Sequence, residues 1–160
     1  CAKISDRLNA MTKQFIELTP GAFPGYSLLT SFGEAAPINL QYQLDDPEEY
    51  RGEVIVVVGA GDAAIENAIA LAAQNEVVII NRIDEFARVK DGNLKLITKA
   101  IESGRIGCFY RSNVAAIERA TGNGSAPARP YVLVLNTADG QARIACDRIV
   151  RGRSRRNASR

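Results

Sequence analysis

Apolar residues recur along this chain with three different rhythms. In residues 4 to 18, ISDRLNAMTKQFIEL, positions Ile4, Leu8, Met11, Phe15 and Leu18 fall at helical spacing behind a Ser5 or Asp6 cap, which predicts a short amphipathic helix. Residues 19 to 37 hold three of the six prolines and three glycines around one apolar patch, SLL. That composition predicts a loop or linker, with a boundary near residue 40.

From residue 53 the rhythm is different. EVIVVVG at 53 to 59 is β-branched at consecutive positions and stops at glycine, as a parallel strand covered on both faces should. DAAIENAIALAAQN at 62 to 75 places Ile65, Ile69 and Ala72 on one helical face, and EVVIIN at 76 to 81 is a second buried strand. NLKLITKAIESGRI contains a second helix that stops at Gly104, a residue free to adopt the left-handed conformation. IGCFYR at 106 to 111 is a third strand. After it come NVAAIERA at 113 to 120, YVLVLNT at 131 to 137 and ARIACDRIV at 142 to 150, joined by GNGSAPARP as a long hairpin tip and ADG as a tight turn. The fold class is therefore α/β: a Rossmann-like, doubly wound parallel sheet with flanking helices, followed by a three-stranded antiparallel meander.

The stretch that carries chemistry is Gly59-Ala60-Gly61-Asp62-Ala63-Ala64, a GxGxxA turn between a strand and a helix. Gly59 permits the tight exit from the strand, Gly61 lets a pyrophosphate approach the backbone, and Ala64 lets the helix pack closely on the sheet. The helix beginning near Asp62 points free amides and the positive end of its dipole at that anion. With a second strand ending 22 residues later, the context is that of a dinucleotide site. At the end of that strand, where the adenosine ribose is read, stand Asn81 and Arg82, with Arg88 and Lys90 following and no carboxylate at the strand end. Arg82 could take a 2′-phosphate as a charge-assisted fork, with Asn81 and Arg88 as further candidates. NADP(H) is thus favoured and NAD(H) stays open.

Composition mainly excludes. The chain has no histidine, so a Ser-His-Asp or Cys-His nucleophile, an HExxH zinc helix and an imidazole base are ruled out. Cys1, Cys108 and Cys146 form no CxxC pair and no metal-ligand spacing, and they read as reduced thiols of a cytoplasmic protein. No tyrosine has a lysine four residues on, and no GxxxxGK[ST] loop occurs, which removes short-chain dehydrogenases and nucleotide hydrolysis. No apolar run reaches membrane length. The net charge is +2, but five arginines lie in the last ten residues, RGRSRRNASR, and the remainder carries −3. That tail is expected to be disordered, and its lack of interleaved aromatics argues against nucleic-acid binding. No residue stands out as acid, base, nucleophile or metal ligand.

Residues 39 to 93, NLQYQLDDPEEYRGEVIVVVGAGDAAIENAIALAAQNEVVIINRIDEFARVKDGN, resemble the NADPH-binding domain of thioredoxin-reductase-like flavoenzymes. Within that class the resemblance is to ferredoxin (flavodoxin)–NADP reductases of thioredoxin-reductase type: a tyrosine- and Asp-Asp-containing approach, a G-[GA]-G-D-[SA]-A turn and a strand followed by H-R-R-D-E-F-R. It extends over about residues 39 to 150. Asn81-Arg82-Ile83 stands where the family has His-Arg-Arg, so only Arg82 is in register. The redox CxxC of thioredoxin reductases proper is missing, which places dithiol exchange outside this chain's chemistry.

The resemblance implies an NAD(P)H-binding domain at 39-150 that presents nicotinamide for hydride transfer to FAD. Residues 1-38 would form an N-terminal helix and linker, and 151-160 the arginine-rich tail. The FAD domain that surrounds such a module in the family has no counterpart here. The expectation is therefore a fragment that binds but does not turn over alone, with a homo-oligomer left open. The alternative is a non-catalytic Rossmann module that senses NAD(P) or docks a partner.

Overall fold

Strand β4 (Val54–Val58) and strand β5 (Glu76–Ile80) are apolar at consecutive positions because both of their faces are covered. The computed structural model describes residues 46–120 and 129–151, together with strands β1 (Ile16–Glu17), β2 (Tyr26–Ser31) and β3 (Leu40–Gln41). A short 3₁₀ turn (Pro47–Glu49), capped by the Asp46 carboxylate, leads into β4. Helix α1 (Asp62–Ala72) follows β4, helix α2 (Asp91–Glu102) follows β5, and strand β6 (Ile106–Phe109) follows α2. Gly104 ends α2 at a φ of 80°, as the sequence predicts. Strands β7 (Asn113–Ala120), β8 (Tyr131–Thr137) and β9 (Gly140–Cys146) form the expected meander, and β10 (Arg148–Arg151) completes the described order.

Two five-stranded sheets result. One is parallel in the order β3-β10-β4-β5-β6, and the other is antiparallel in the order β1-β9-β8-β7-β2. Alternation along each parallel strand sends residues to opposite layers. Ile55, Val57, Val77, Ile79, Ile106, Cys108 and Val150 pack with Ala64, Ile65, Ala68 and Leu71 of α1 and with Ile97 and Ala100 of α2. Val54, Val56, Val78, Ile80, Phe109 and Ile149 pack instead with Ile117, Leu133, Leu135, Ala142, Ile144 and Cys146 of the antiparallel sheet. Both helices therefore cover one face and a sheet covers the other, which corrects the doubly wound reading. The β-rich half is a layer over the parallel sheet, not an appendage beside it.

Three local expectations also change. Ile16–Glu17, at the end of the predicted N-terminal helix, pair with Ile144 and Arg143 of β9 as a strand; the rest of that helix lies outside the described residues. Tyr26–Ser31, inside the predicted linker, pair with β7 and extend the meander at its other edge. ARIACDRIV is two strands: β9 ends at Cys146, and after Asp147 the chain joins the parallel sheet as β10, between β3 and β4. Arg151, the first residue of the predicted tail, pairs with Val58; residues 152–160 and the hairpin tip at 121–128 lie outside the described residues. The ADG turn is as expected, with Thr137 opposite Gly140.

Asp147 makes the change of sheet possible. Its backbone N–H donates to the Val54 carbonyl at 2.8 Å, and its carboxylate accepts the Val54 N–H at 2.8 Å, with Arg129 Nε 3.4 Å away. Beside it, Arg148 Nε donates to Glu53 at 3.1 Å and its guanidinium lies 4.3 Å from the centre of the Tyr50 ring. The start of β10 is thereby fixed to the start of β4.

Cys108 and Cys146 are buried in these two cores, and neither is in a disulfide. Burial pushes the Cys146 thiol well above its ordinary range, and the neighbouring Asp147 charge adds to the effect. Ellman's reagent at pH 8 should label neither residue in the folded chain and both in urea, with peptide mass mapping separating them from Cys1; rapid labelling without denaturant contradicts the packing.

Candidate functional site

The C-terminal ends of β4, β5 and β6 carry the polar loops, the place where open α/β sheets bind ligands. Gly59 leaves β4 at a φ of 131°, a conformation L side chains rarely adopt, while its N–H still bonds the Ile80 carbonyl at 3.0 Å. Ala60 is half-buried against the helix-side core. Gly61 is the N-cap of α1, with no side-chain cap, and its carbonyl accepts the first helical bond from Ile65 at 3.0 Å. A Cβ built on Gly61 would meet nothing within 4 Å. Open space therefore lies over the Gly61 backbone, next to the amides of the first turn, which have no intrahelical acceptor in any α-helix. A diphosphate fits that chemistry: uncapped donors, a positive dipole end and no side chain in the way. Ala63 is exposed at this turn, and Ala64 is buried between helix and sheet, as its size requires.

Residues 81–90 form the second loop. Asn81 is buried, and its side chain organises that loop rather than facing outward. Its Nδ2 donates to the Glu85 carbonyl at 3.0 Å and its Oδ1 accepts the Ile83 N–H at 3.1 Å. The backbone of Asn81 bonds Phe109 and Ser112, which ties the loop to the end of β6. Each end of the Asn81 amide thus makes one bond within the turn. Arg111, at a φ of 49°, donates from its backbone to Ile83 and pairs through its guanidinium with Asp84. That hydrogen bond, then the Arg111 charge, holds the Asp84 carboxyl below its ordinary value. Arg82 and Arg88 are exposed, and among the described residues neither has an ion-pair partner. Arg82 lies two residues beyond Ile80, which is the register partner of Val58 at the glycine turn.

The Asp62 side chain bonds the start of α2. Its Oδ1 accepts the Lys90 N–H at 3.0 Å and the Asn93 Nδ2 at 2.7 Å, and the same amide also donates to Glu66 at 3.1 Å. Glu66 likewise bonds the start of α2, through Asn93. Lys90 and Asn93 were not distinguishable in the sequence, because nothing local marks them as partners of a helix 28 residues earlier. At the other end of β4 and β5 an open cavity of 480 Å³ is lined by Gly52, Glu53, Asn75, Glu76 and Arg129, remote in the fold from the glycine turn. No described helix is long and apolar enough to cross a membrane.

Comparison with known proteins points one way. No protein-family model matches the chain. It is 32% identical over 79 residues to ferredoxin–NADP reductase 2 of Christiangramia forsetii, covering 49% of this chain and 22% of that one. It is 43% identical over 54 residues to the ferredoxin–NADP reductase of Ignicoccus hospitalis, covering 33% and 17%. The chain thus spans about a fifth of the length of these relatives. In fold it matches thioredoxin reductase of Lactococcus lactis with a TM-score of 0.54 at 20% identity, covering 68% of this chain and 34% of that one. The bacillithiol disulfide reductase of Staphylococcus aureus matches with a TM-score of 0.61 at 17% identity, covering 79% and 36%. The likeness read from the glycine turn and its flanks therefore holds in both sequence and fold: the chain is similar to a segment of the ferredoxin–NADP reductases and has the α/β architecture of a domain of thioredoxin-reductase-like flavoproteins.

Proposed function

We propose that this chain is the NAD(P)H-binding part of a flavin-dependent oxidoreductase and that NADP(H) is its preferred ligand. The observation that carries the reading is the unobstructed space over Gly61 at the uncapped start of α1. Gly59 would shape the turn, the backbone at Ala60 and Gly61 with the first-turn amides of Asp62, Ala63 and Ala64 would hold the diphosphate, and the exposed Arg82, with Arg88 on the same loop, would receive the 2′-phosphate. When bound, the nicotinamide supplies a hydride to a flavin, and the chain's own residues bind and orient. In this reading the FAD-binding part is not formed by the residues around the site, so the isolated chain binds nucleotide without turnover. The similarity to ferredoxin–NADP reductases supports both the cofactor class and the division of labour.

Titration of the full chain with NADPH and NADH, followed by calorimetry or nucleotide fluorescence, tests the reading. We expect saturable binding of NADPH and no oxidation of it by the chain alone. Arg82→Ala should weaken NADPH about tenfold, the loss of one charge-assisted phosphate contact, and NADH about twofold or less. Equal losses for the two nucleotides would remove Arg82 from the 2′-phosphate.

A further inference from the structure

The loop that carries Arg82 and Arg88 is fastened near its entry, where Arg111 also bonds Ile83 and Asp84, and at its exit. At its entry Asn81 bonds Ile83 and Glu85 within the turn. At its exit the chain enters α2 through Lys90, an N-cap that has no side-chain cap of its own. α1 holds this end: Asp62 Oδ1 accepts both the Lys90 N–H at 3.0 Å and the Asn93 Nδ2 at 2.7 Å. Asn93 also donates to Glu66, one turn further along α1, so the helix starts are joined by three hydrogen bonds.

We propose that Asp62 is a positioning residue that sets the adenosine-end arginine loop from the diphosphate turn, and so couples the two halves of the nucleotide site; this rests on the dinucleotide reading above. The electrostatics favour that division. A carboxylate facing a diphosphate would oppose binding, whereas the same carboxylate at the start of α2 meets donors and a positive dipole end. Asp62 directly follows Gly61, so a shift of the glycine turn is transmitted to Lys90 without an intervening flexible segment. Neither Arg82 nor Arg88 is held by an ion pair among the described residues, so what places them is the loop backbone, held by Asn81 and Arg111 on the Arg82 side and by Asp62 on the Arg88 side.

The test uses the full chain with three probes: adenosine 2′,5′-bisphosphate, which carries the 2′-phosphate but no dinucleotide bridge, NADPH and NADH. Asp62→Ala should weaken the bisphosphate and NADPH about five- to tenfold and NADH about twofold or less. In an Arg82→Ala background the same substitution should have a smaller effect on the bisphosphate than in the unmodified chain, because one of the two groups being positioned is gone. Asp62→Asn, which keeps an acceptor oxygen, should restore most of the affinity. Should Asp62→Ala not fold, Asn93→Ala removes one of the two donors and should give the same pattern at smaller amplitude. Equal losses for NADPH and NADH, additive effects in the double variant, or a gain of affinity would each overturn the proposal. Failure of the unmodified chain to bind any of the three probes would instead overturn the dinucleotide reading on which it stands.

Discussion

Gly61→Asp should abolish nucleotide binding while leaving the fold as stable as before. The backbone of Gly61 has a φ of −88°, open to any residue, and the added Cβ meets nothing within 4 Å. Asp is at least as good an N-cap as Gly, so thermal unfolding should change by no more than about 0.5 kcal/mol. In the nucleotide complex, however, the new side chain would occupy the diphosphate's place and put a like charge beside it. Overpacking of about 1–3 kcal/mol and repulsion of a few kcal/mol at an effective dielectric near 20 together predict a loss of about a hundredfold or more. Calorimetric titration alongside a melting curve gives both quantities from one preparation. Retained NADPH affinity in the well-folded variant would place the ligand elsewhere.

Asp147→Ala should be among the most destabilising single changes in the chain. It removes the carboxylate that accepts the Val54 N–H in the central strand and that stands beside the half-buried Arg129 guanidinium. An unsatisfied buried donor plus a broken charge-assisted bond costs about 2–4 kcal/mol. Asp147→Asn retains an oxygen that can accept from Val54 and should recover about half of that. Urea unfolding of the two variants measures the difference; if Asp147→Ala unfolds within about 0.5 kcal/mol of the unmodified chain, the carboxylate is not what holds the crossing in place.

What could be read in the residues follows from how local each signal is. β4, α1, β5, α2 and β6 were legible because a strand covered on both faces is apolar at every position, and the glycines that end them act within a residue or two. The first two strands were not. Ile16–Glu17 belong to a run with helical periodicity, and Tyr26–Ser31 lie among prolines and glycines; both are edge strands specified by their partners in β9 and β7. The break at Asp147 did leave a signal. Ala142, Ile144 and Cys146 face the inter-sheet core at a period of two, but the next residue to do so is Ile149, three positions on. Ile149 and Val150 are then both buried, as in a strand with two covered faces. The phosphate turn was legible because its requirements are backbone requirements. The roles of Asn81 and Asp62 were not, because each depends on a loop folding back onto it.

The insertion of β10 between β3 and β4 has a consequence for the order of assembly. Leu40 meets Ile149 across the sheet, a separation of more than a hundred positions, and β4 gains its second neighbour only when that same late strand arrives. A nascent chain can build the β4-α1-β5-α2-β6 unit early, yet β3 must wait for β10 before it gains this neighbour. Closure of this sheet is a high-contact-order event, slow relative to the local βαβ steps, and during that delay one flank of β4 remains open to pairing with other chains.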